Sequence, residues 1–451
     1  MNDIFELSLL QLSTMIRQKE LSPVDITDNM LNKIETQNNK NNAFITVMRE
    51  TAMADAKKAE KDIVNGNNKG PLHGVPLALK DNISVKDVRC TNGSMVDESS
   101  ISQNDAAIVK QLQQAGAIII GKTNLDEYAN HMVGKNKHYG TIQNPLHADY
   151  SVGGSSGGSA VSVAAHLAYG AIGTDTSGSV RVPAACCGIV GLKPTYNLLP
   201  VDGVTPLSWS LDHMGILSKD CQDLSVLFHA LAPGAKQDTT YLPKPVHMNQ
   251  LTIGIPETYF FEKLDKTVET KIREVIDLCV KNGAAIKKVN IPKVEQAAIV
   301  QEKVIGVEAS YVHARELAEH KNQYEEENYE YFKHGATISH TEYIEALKIR
   351  ERMSRDFQHM FNDIDILLTP TLPITAPKLT ENKKTWGEDE EDILMTLSRY
   401  TGPFNVSGLP ALQVPVGFDK NHLSIGLQIV GDLYSEEQLI AVGDWIHTKM
   451  I

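Results

Sequence analysis

The stretch that decides the fold runs from Gly153 to Thr195 and reads GGSSGGSAVSVAAHLAYGAIGTDTSGSVRVPAACCGIVGLKPT. It is built mainly from Gly, Ser, Thr, Ala and Val, and its charged residues are Asp175, Arg181 and Lys193. Side chains this small let backbone segments approach one another closely. They also leave hydroxyl groups as the main candidates for chemistry.

The order of residues in this stretch predicts a compact helix–strand–helix unit. Ser159 to Ala168 is rich in Ala and lacks Gly and Pro, which predicts a buried helix that Gly170 ends. Residues 171–174 predict a short inner strand. The chain then turns over Asp175 to Ser179 into a second helix, with Pro183 tolerated in its first turn.

Two hydroxyl clusters flank the first predicted helix, Ser155-Ser156 on one side and residues 176–179 on the other. A serine at a strand-to-helix turn lies where free backbone N–H groups point at an incoming oxyanion. These residues alone leave two interpretations open. Ser179 is either a nucleophile with an oxyanion hole built from its own loop, or part of a glycine-rich packing segment.

A lysine upstream of this stretch is a candidate base. Leu77 to Leu79 predicts a short buried strand, so Lys80 emerges from its end. Such a lysine is usually a surface residue. If it is buried beside hydroxyls, desolvation lowers its pKa and makes the neutral amine a usable base. His131 and His138 lie in no recognisable triad or zinc motif, so lysine is preferred over histidine.

Two short motifs match patterns whose structural context is missing. Gly116 to Thr123 satisfies the Walker A pattern, but residues 117–120 read as an apolar strand rather than a phosphate-binding loop. Gly153 to Gly157 satisfies the nucleophile-elbow pattern, which needs a buried strand before it. Asn144 to Ser151 is polar there, so neither motif is interpreted as functional.

Composition narrows the class of protein. The 451 residues can bury a large core, and a net charge of −13 without a Lys/Arg run disfavours a nucleic-acid-binding surface. Five cysteines, two of them the adjacent Cys186 and Cys187, are expected to be reduced thiols. The sequence has no apparent signal peptide and no apolar window near the roughly 18 residues that span a bilayer. We therefore expect a cytoplasmic protein that does not contact membranes.

The flanking regions alternate between short strands and helices, which predicts an α/β layered fold. The acidic runs Glu325 to Glu327 and 387–392 are interpreted as solvated loops, and 234–250 as a polar surface connection. The predicted N-terminal helices either cover a sheet or form a dimer contact. The remaining predicted elements are helices at Ile4–Arg17, Pro23–Gln37, Thr51–Val64, Lys266–Asn282, Val294–Glu319 and Thr341–Phe361, and strands at Leu251–Pro256 and Ala284–Pro292. The helical regions at Val294–Glu319 and Thr341–Phe361 are expected to cover one side of the candidate site.

Several long segments, in order along the chain, closely resemble the amidase signature family. They are GVPLALKDN (74–82), GKTNLDEYA (121–129), HYGTIQNP (138–145), GGSSGGSA with GTDTSGSVRVPAACCGIVGLKPT (153–195), PLSWSLDHMG (206–215), DIDILLTPTLP (363–373), TGPFNVSGLPALQVPVG (401–417) and GLQIVGDLYSEEQLI (426–440). The resemblance implies a mixed central β-sheet flanked by helices, in α/β/α layers. It also implies a single domain over 1–451, with an N-terminal helical part at 1–65 and a catalytic core at about 72–230.

The resemblance further implies catalytic roles. Ser179 matches the family's nucleophile, Ser155 the bridging serine that follows a cis peptide bond, and Lys80 the general base. A neutral lysine could take the nucleophile's proton through the bridging serine and return it to the leaving amine, giving an acyl-serine intermediate. No metal or cofactor is implied.

The family's oxyanion hole matches the backbone N–H groups of Thr176, Ser177 and Gly178. Some members carry Gly where this chain has Ser177, which leaves the N–H in place but narrows the pocket slightly.

Two functional classes within the family compete. One is a free-standing amidase that releases ammonia or an amine from a small amide and that could act as a homodimer. The other is the glutamine-hydrolysing A subunit of glutamyl-tRNA(Gln) amidotransferase, which passes ammonia to a partner. Trp209 in the 206–215 segment and the tyrosine-poor helix of residues 340–361 favour the free amidase. A non-catalytic binding relative is disfavoured because Lys80, Ser155 and Ser179 are all present.

Overall fold

The architecture is known from a computed structural model that describes residues 4–232 and 241–451. Within them, eleven strands form one mixed sheet in the order β1-β3-β2-β4-β6-β5-β12-β13-β9-β7-β8, and β10 and β11 form a separate hairpin. The strands are β1 Phe44–Val47, β2 Pro76–Lys80, β3 Ile118–Thr123, β4 Ala171–Asp175, β5 Val190–Lys193, β6 His213–Ser218, β7 Thr252–Pro256, β8 Ala285–Val289, β9 Ile366–Pro370, β10 Lys383–Trp386, β11 Asp389–Asp392, β12 Ala411–Phe418 and β13 Ser424–Val430.

Helices flank this sheet, as the resemblance implied. They are α1 Leu9–Arg17, α2 Pro23–Asn41, α3 Arg49–Val64, α4 Ala107–Gln114, α5 Gly157–Ala164, α6 Arg181–Cys187, α7 Cys221–Leu231, α8 Lys266–Lys281, α9 Ala297–Val312, α10 Ala314–Glu319, α11 Glu326–Gly335, α12 His340–Met360, α13 Ile393–Ser398, α14 Gly402–Ser407 and α15 Glu436–Met450. The predicted α/β fold with a mixed central sheet is confirmed.

Parallel and antiparallel pairs adjoin in the part of the sheet formed by β3, β2, β4 and β6. Strand β2 pairs in parallel with both β3 and β4, and β4 pairs antiparallel with β6. All five residues of β2 and all five of β4 are buried. Parallel neighbours point their carboxyl ends toward the same edge of the sheet. Lys80 at the end of β2 and Thr174 near the end of β4 therefore lie side by side.

Hydrophobic residues gather in two large clusters. The first packs the sheet against α1 to α4, α7, α8 and α15. The second packs α9, α11, α12 and α14 around large aromatic side chains, including Phe332, Phe357 and Phe404. Two of these rings, Phe357 and Phe404, lie 5.5 Å apart between centroids. This second cluster supports the helices that cover one side of the site described below.

Several predicted helix boundaries differ from the observed ones. The helix predicted over Ser159–Ala168 is α5, which begins at Gly157 and ends at Ala164. It stops early because His166 adopts a left-handed conformation, with φ 54°. The helix predicted over Ile4–Arg17 is divided into a short 3-10 turn and α1, because the Ser8 side chain accepts a hydrogen bond from the N–H of Gln11 and caps α1.

The two acidic runs are mostly exposed, as predicted, but neither is simply a loop. Glu326 begins α11, where negative side chains suit the first turn of a helix. Residues 387–392 belong to the β10–β11 hairpin, where the Glu391 carboxylate pairs with the Arg399 guanidinium. Of the predicted polar connection at 234–250, residues 234–240 lie outside the described residues. The division into a single domain stays a prediction.

Two further features agree with the sequence analysis. The Walker A match coincides with β3, where Lys122 is buried and its Nζ lies 2.8 Å from Asp81 Oδ1. None of the described helices combines the length and the apolar character needed to cross a membrane.

Candidate active site

Lys80 is fully buried among hydroxyl groups where β2 ends. Its Nζ donates a hydrogen bond to Ser155 Oγ at 2.7 Å and another to Thr174 Oγ1 at 2.8 Å. The Asn82 Nδ2 donates to the same threonine oxygen at 3.2 Å. The structure therefore selects the buried alternative for this lysine over the surface one.

Burial lowers the pKa of Lys80 to about 7, although the carboxylates of Asp126, Asp212 and Asp175 raise it. Removing an ammonium group from water disfavours its charged form, and here this effect is larger than the attraction of the three carboxylates. A substantial fraction of the lysine is thus neutral near pH 7. A neutral amine with a hydroxyl at 2.7 Å has the position and the protonation state of a base.

The two hydroxyl clusters of the sequence meet next to this lysine. The N–H of Ser156 donates to the carbonyl of Ser179 at 3.1 Å, and the Ser156 hydroxyl donates to the Thr174 carbonyl at 3.1 Å. The peptide bond between Gly154 and Ser155 is cis, as the resemblance implied. These contacts fix the segment carrying Ser155 against the segment carrying Ser179.

Neighbouring side chains lie so close to the backbone at two positions of these segments that only glycine fits there. A Cβ added to Gly154 would lie 1.9 Å from Asp126 Oδ2, and one added to Gly178 would lie 2.2 Å from Thr401 Oγ1. Gly178 also has a φ of +132°, which side-chain-bearing residues rarely adopt. Larger residues at either position would displace the loops that carry Ser155 and Ser179.

The carboxylate of Asp175 binds backbone N–H groups of the turn that carries Ser179. It accepts hydrogen bonds from the N–H of Gly178 at 2.8 Å and of Val180 at 3.1 Å. The Arg181 guanidinium donates to both of its oxygens, at 2.9 and 3.1 Å. Burial alone would raise the pKa of Asp175, but the guanidinium of Arg181 outweighs it and holds that pKa well below its usual range.

Arg181 connects this turn to the C-terminal half of the chain. The buried guanidinium donates to Asn405 Oδ1 at 2.7 Å, to Gln428 Oε1 at 2.6 Å and to the Thr401 carbonyl at 2.9 Å. Both partners of the Arg181–Asp175 pair are fully buried. The loop of Ser179 is therefore held by residues more than 200 positions away in sequence.

The predicted oxyanion hole is only partly free in this conformation. The N–H of Gly178 is already donated to Asp175. Across residues 4–232 and 241–451, the N–H groups of Thr176, Ser177 and Ser179 have no hydrogen-bond acceptor. Since a developing oxyanion needs unoccupied donors, the open groups are those of these three residues.

Side chains hold the open part of the loop in place. The Thr176 hydroxyl donates to Asp212 Oδ1 at 2.6 Å, and the Thr401 hydroxyl donates to the Ser177 carbonyl at 2.5 Å. Asp212 Oδ2 in turn accepts from the N–H of Leu207 at 3.0 Å. Burial raises the pKa of Asp212 to about 7.

A cavity of about 400 Å³ opens beside Ser179. Its lining residues come from the Ser179 loop, the segment after β3, α9, α11 and α13. They are Ala129, Asn130, His131, Met132, Thr176, Ser177, Ser179, Leu207, Ala298, Ile299, Gln301, Glu302, Ile305, Glu327, Tyr331, Leu394, Met395 and Ser398.

The walls of the cavity are mainly apolar, and their formal charge is negative. The described lining residues include Glu302 and Glu327 but no Lys or Arg. The imidazole of His131 lies 3.8 Å from the Glu327 carboxylate, and burial lowers its pKa, which favours the uncharged ring. The cavity thus suits a neutral or positively charged molecule better than an anion.

Several residues of this site were not predicted from the sequence. Thr174 was predicted only as part of a strand, although its position one residue before Asp175 could have marked it as a neighbour of Lys80. Asp126, buried near the lysine with its pKa raised by burial to about 7, was not singled out. The helical region predicted over Val294–Glu319 does cover one side of the site, because α9 lines the cavity. The wall from α11 carries no motif, because its contact with the site is long-range.

One group of side chains outside the cavity has metal-ligand chemistry. Glu127, His138 and Glu325 can place three ligand atoms within 4.8 Å of one another. The Glu127 carboxylate, however, already accepts hydrogen bonds from Ser94 Oγ at 2.6 Å and Asn328 Nδ2 at 2.8 Å. Its oxygens are occupied by donors, so the group is a hydrogen-bonded cluster rather than an open cation site.

Comparison with known proteins places this geometry in context. A model of the amidase family matches residues 25–440. The A subunit of glutamyl-tRNA(Gln) amidotransferase from Halothermothrix orenii is 33% identical over 474 residues, covering 97% of this chain and 96% of that protein. A crystal structure of an amidase superposes with a TM-score of 0.91 at 27% identity, covering 99% of this chain and 100% of the other. The crystal structure of the A subunit from Thermotoga maritima superposes with a TM-score of 0.78 at 29% identity, covering 98% and 94%.

Proposed function

This chain belongs to the amidase family and is an amide-hydrolysing enzyme, and we propose that it is a free-standing amidase that needs no partner protein. Its substrate is a small carboxylic amide, which it cleaves to an acid and ammonia or an amine. The observation that carries the choice is the lining of the cavity beside Ser179, which is apolar, contains Glu302 and Glu327, and includes no Lys or Arg within the described residues.

Glutamine fits such a cavity poorly. Its α-carboxylate is ionised at neutral pH, and a buried carboxylate is costly unless a cationic side chain pairs with it. Glu302 is already paired with Lys303 Nζ at 3.0 Å, and Glu327 is exposed and could attract the α-ammonium group of glutamine. The lack of a cationic partner for the carboxylate among the described lining residues is therefore what disfavours glutamine. A neutral acyl chain, in contrast, gains from contact with residues such as Ile299, Ile305 and Met395.

The proposed reaction begins with Ser179 as nucleophile. Its Oγ attacks the carbonyl carbon of the amide while its proton passes to Ser155, whose own proton passes to the neutral Nζ of Lys80. The hydrogen bond of 2.7 Å between Lys80 and Ser155 supports the second transfer. The product of this step is a tetrahedral intermediate that carries a negative oxygen.

The proposed oxyanion donors are the N–H groups of Thr176, Ser177 and Ser179. Gly178, which the resemblance also implied, is not included because its N–H is engaged with Asp175. Preorganised backbone donors stabilise the developing charge without reorganising during the reaction. The hydrogen bonds from Thr176 to Asp212 and from Thr401 to Ser177 support such a fixed loop.

Collapse of the intermediate breaks the carbon–nitrogen bond. The proton held by Lys80 returns through Ser155 to the leaving nitrogen, since an amine leaves poorly unless it is protonated. The acyl group remains on Ser179 as an ester. Water then attacks the ester by the same proton route in reverse, which releases the acid and restores the neutral lysine and both serine hydroxyls.

The second candidate is the glutamine-hydrolysing component of an amidotransferase. It is favoured by the 33% identity to that component from H. orenii over 97% of this chain. A protein of this kind depends on partners that receive its ammonia. The cavity lining is the observation against it, because the described part of the cavity offers no cationic partner for the carboxylate of glutamine.

Ammonia release by the purified chain alone separates the two candidates. Aliphatic and aromatic amides and glutamine are compared, and glutamine is tested again with the B and C subunits of an amidotransferase. Hydrolysis of simple amides without partners is the expected result, with the Ser179→Ala protein as the background control. An isolated chain that is inert, and that hydrolyses glutamine only in the complex, would establish the second candidate instead.

A further inference from the structure

A buried carboxylate lies behind the cavity and contacts both of the segments that form two of its walls. Glu127 is fully buried at the start of the 3-10 turn Glu127–Ala129, which follows β3. Its Oε1 accepts a hydrogen bond from Ser94 Oγ at 2.6 Å and lies 3.2 Å from His138 Nε2. The mechanism proposed above does not use this residue.

The other oxygen of Glu127 contacts the beginning of α11. Oε2 accepts hydrogen bonds from Asn328 Nδ2 at 2.8 Å and from the N–H of Glu325 at 2.9 Å. Asn328 is itself buried, and its Oδ1 accepts a hydrogen bond from Asn130 Nδ2 at 2.8 Å. Two side-chain links therefore join the segment after β3 to α11.

These two segments supply facing parts of the cavity lining. Ala129 to Met132 contribute one part, and α11 contributes Glu327 and Tyr331. The first segment includes Tyr128 and Ala129 in left-handed conformations, with φ 50° and 62°. Such conformations are unfavourable for residues with side chains and persist when surrounding contacts hold them.

We propose that Glu127 is a positioning residue that sets the width of the substrate cavity by holding α11, through Asn328 and the N–H of Glu325, against the 129–132 segment. The inference rests on the proposed function only in that this cavity receives the amide substrate. Glu127 does not contact the reacting atoms. Its loss is expected to weaken substrate binding while the Lys80–Ser155–Ser179 chemistry continues.

The structure offers variants that separate this role from general stability. Asn328→Ala removes the side-chain link to α11 and leaves the Glu127 carboxylate in place. Glu127→Ala removes both carboxylate oxygens, and with them the contacts with Asn328 and with the N–H of Glu325. Ser94→Ala removes a hydrogen bond to the same carboxylate without touching α11, which makes it the matched control.

Two measurements test the proposal. Steady-state kinetics with hexanamide are expected to give a KM raised about tenfold in Asn328→Ala and Glu127→Ala, with kcat changed by less than about threefold. Loss of a hydrogen bond to a charged group can shift α11 by about that factor toward positions that bind the substrate less well. Hydrogen exchange is expected to be faster in residues 326–335 of both variants. Ser94→Ala is expected to change neither quantity by more than about twofold.

The outcomes that would overturn the proposal are distinct from failure of the proposed function. Unchanged KM and unchanged exchange of residues 326–335 in folded Asn328→Ala would show that the link does not set the cavity. A fall in kcat at constant KM on replacement of Glu127 would mean that Glu127 takes part in the reaction steps instead. If the wild-type chain hydrolyses no amide, the proposed function fails, and hydrogen exchange of residues 326–335 in Glu127→Ala still decides whether Glu127 holds α11.

Discussion

The Nζ of Lys80 lies 2.7 Å from the Oγ of Ser155, and both side chains are fully buried. Lys80 ends strand β2, and Ser155 immediately precedes the turn into α5, so two separate parts of the sequence bring the pair together. Because burial lowers the lysine pKa to about 7, a substantial fraction of Lys80 is in the neutral form that can accept a proton near neutral pH.

Replacement of Ser179 tests the nucleophile. Ser179→Ala is expected to lower kcat for any amide substrate by at least about 10³-fold, because no other group would form the acyl ester. The fold is expected to persist, since Ser179 is buried at a site that accepts the smaller alanine. Ammonia release and thermal unfolding are measured on the same preparation. Near-normal turnover by a folded variant would contradict the assignment.

The pH dependence of kcat/KM tests the base. As the proposed base, Lys80 would act only as the neutral amine, so kcat/KM is expected to rise with pH around a midpoint of about 7. Lys80→Ala is expected to lose about 10²–10⁴-fold in kcat/KM. Lys80→Arg is expected not to restore it, because a guanidinium stays protonated. A wild-type profile that falls as pH rises through 7, or an active Lys80→Arg protein, would rule out Lys80 as the base.

The same pKa shift predicts a contribution to stability. The unfolded lysine has a pKa of about 10.4, whereas the folded one has a pKa of about 7, so the unfolded state binds more protons between these values. The free energy of unfolding from this group therefore rises with pH across that window, by about 1.4 kcal/mol per pH unit. Lys193, whose pKa is also lowered by burial, acts in the same direction. In Lys80→Met, urea unfolding is expected to show a shallower rise between pH 7 and 10; an identical slope would contradict the shift.

The sequence alone predicted the elements that carry the chemistry, for reasons that are local. The strand ending at Lys80 and the strand of residues 171–174 are apolar runs bounded by breaking residues, and both were found within a residue or so. The cis peptide before Ser155 came only from the family resemblance. The start of the helix after Ser155 was predicted two residues too late, because glycines are poor helix formers. Gly158 is nevertheless part of the helix, since the backbone of Ala43 and Asn124 lies too close to leave room for a side chain.

What the sequence could not provide depends on contacts between distant segments. The acidic run at Glu325 reads as solvated, yet Glu325 and Asn328 contact buried Glu127, almost 200 residues earlier. The N–H of Gly178 donates to Asp175 because Arg181 and Asn405 hold the Asp175 carboxylate in one rotamer. No local pattern encodes these distances.

Arg181 is predicted to be essential for the stability of the Ser179 loop. Arg181→Met leaves the buried Asp175 carboxylate without its cationic partner, which is expected to cost about 3–5 kcal/mol in the free energy of unfolding. Lys333→Met is the control, because the exposed pair that it removes is worth at most about 1 kcal/mol. The two losses are measured by urea unfolding at pH 8.

The pH dependence of that loss gives a second check. An unpaired buried carboxyl group can become neutral by taking up a proton. The difference in unfolding free energy between the wild type and Arg181→Met is therefore expected to be smaller at pH 5 than at pH 8. A difference that is the same at both pH values would mean that the loss arises from packing rather than from the stranded charge of Asp175.

The charge of the cavity predicts a selectivity that a panel of three amides can measure. Hexanamide, 6-aminohexanamide and the monoamide of adipic acid have chains of similar length that end in a methyl, an ammonium and a carboxylate group. Because Glu302 and Glu327 line the cavity and no described lining residue is a Lys or Arg, the anionic amide is expected to have a kcat/KM at least about tenfold below that of hexanamide. The cationic amide is expected to be hydrolysed at least as well as hexanamide. Combining Glu302→Gln with Glu327→Gln should narrow the gap between the anionic and neutral amides while leaving hexanamide within about threefold, since only the charge changes. If the wild type prefers the anionic amide, a cationic group must reach the cavity, and glutamine would no longer be disfavoured as a substrate.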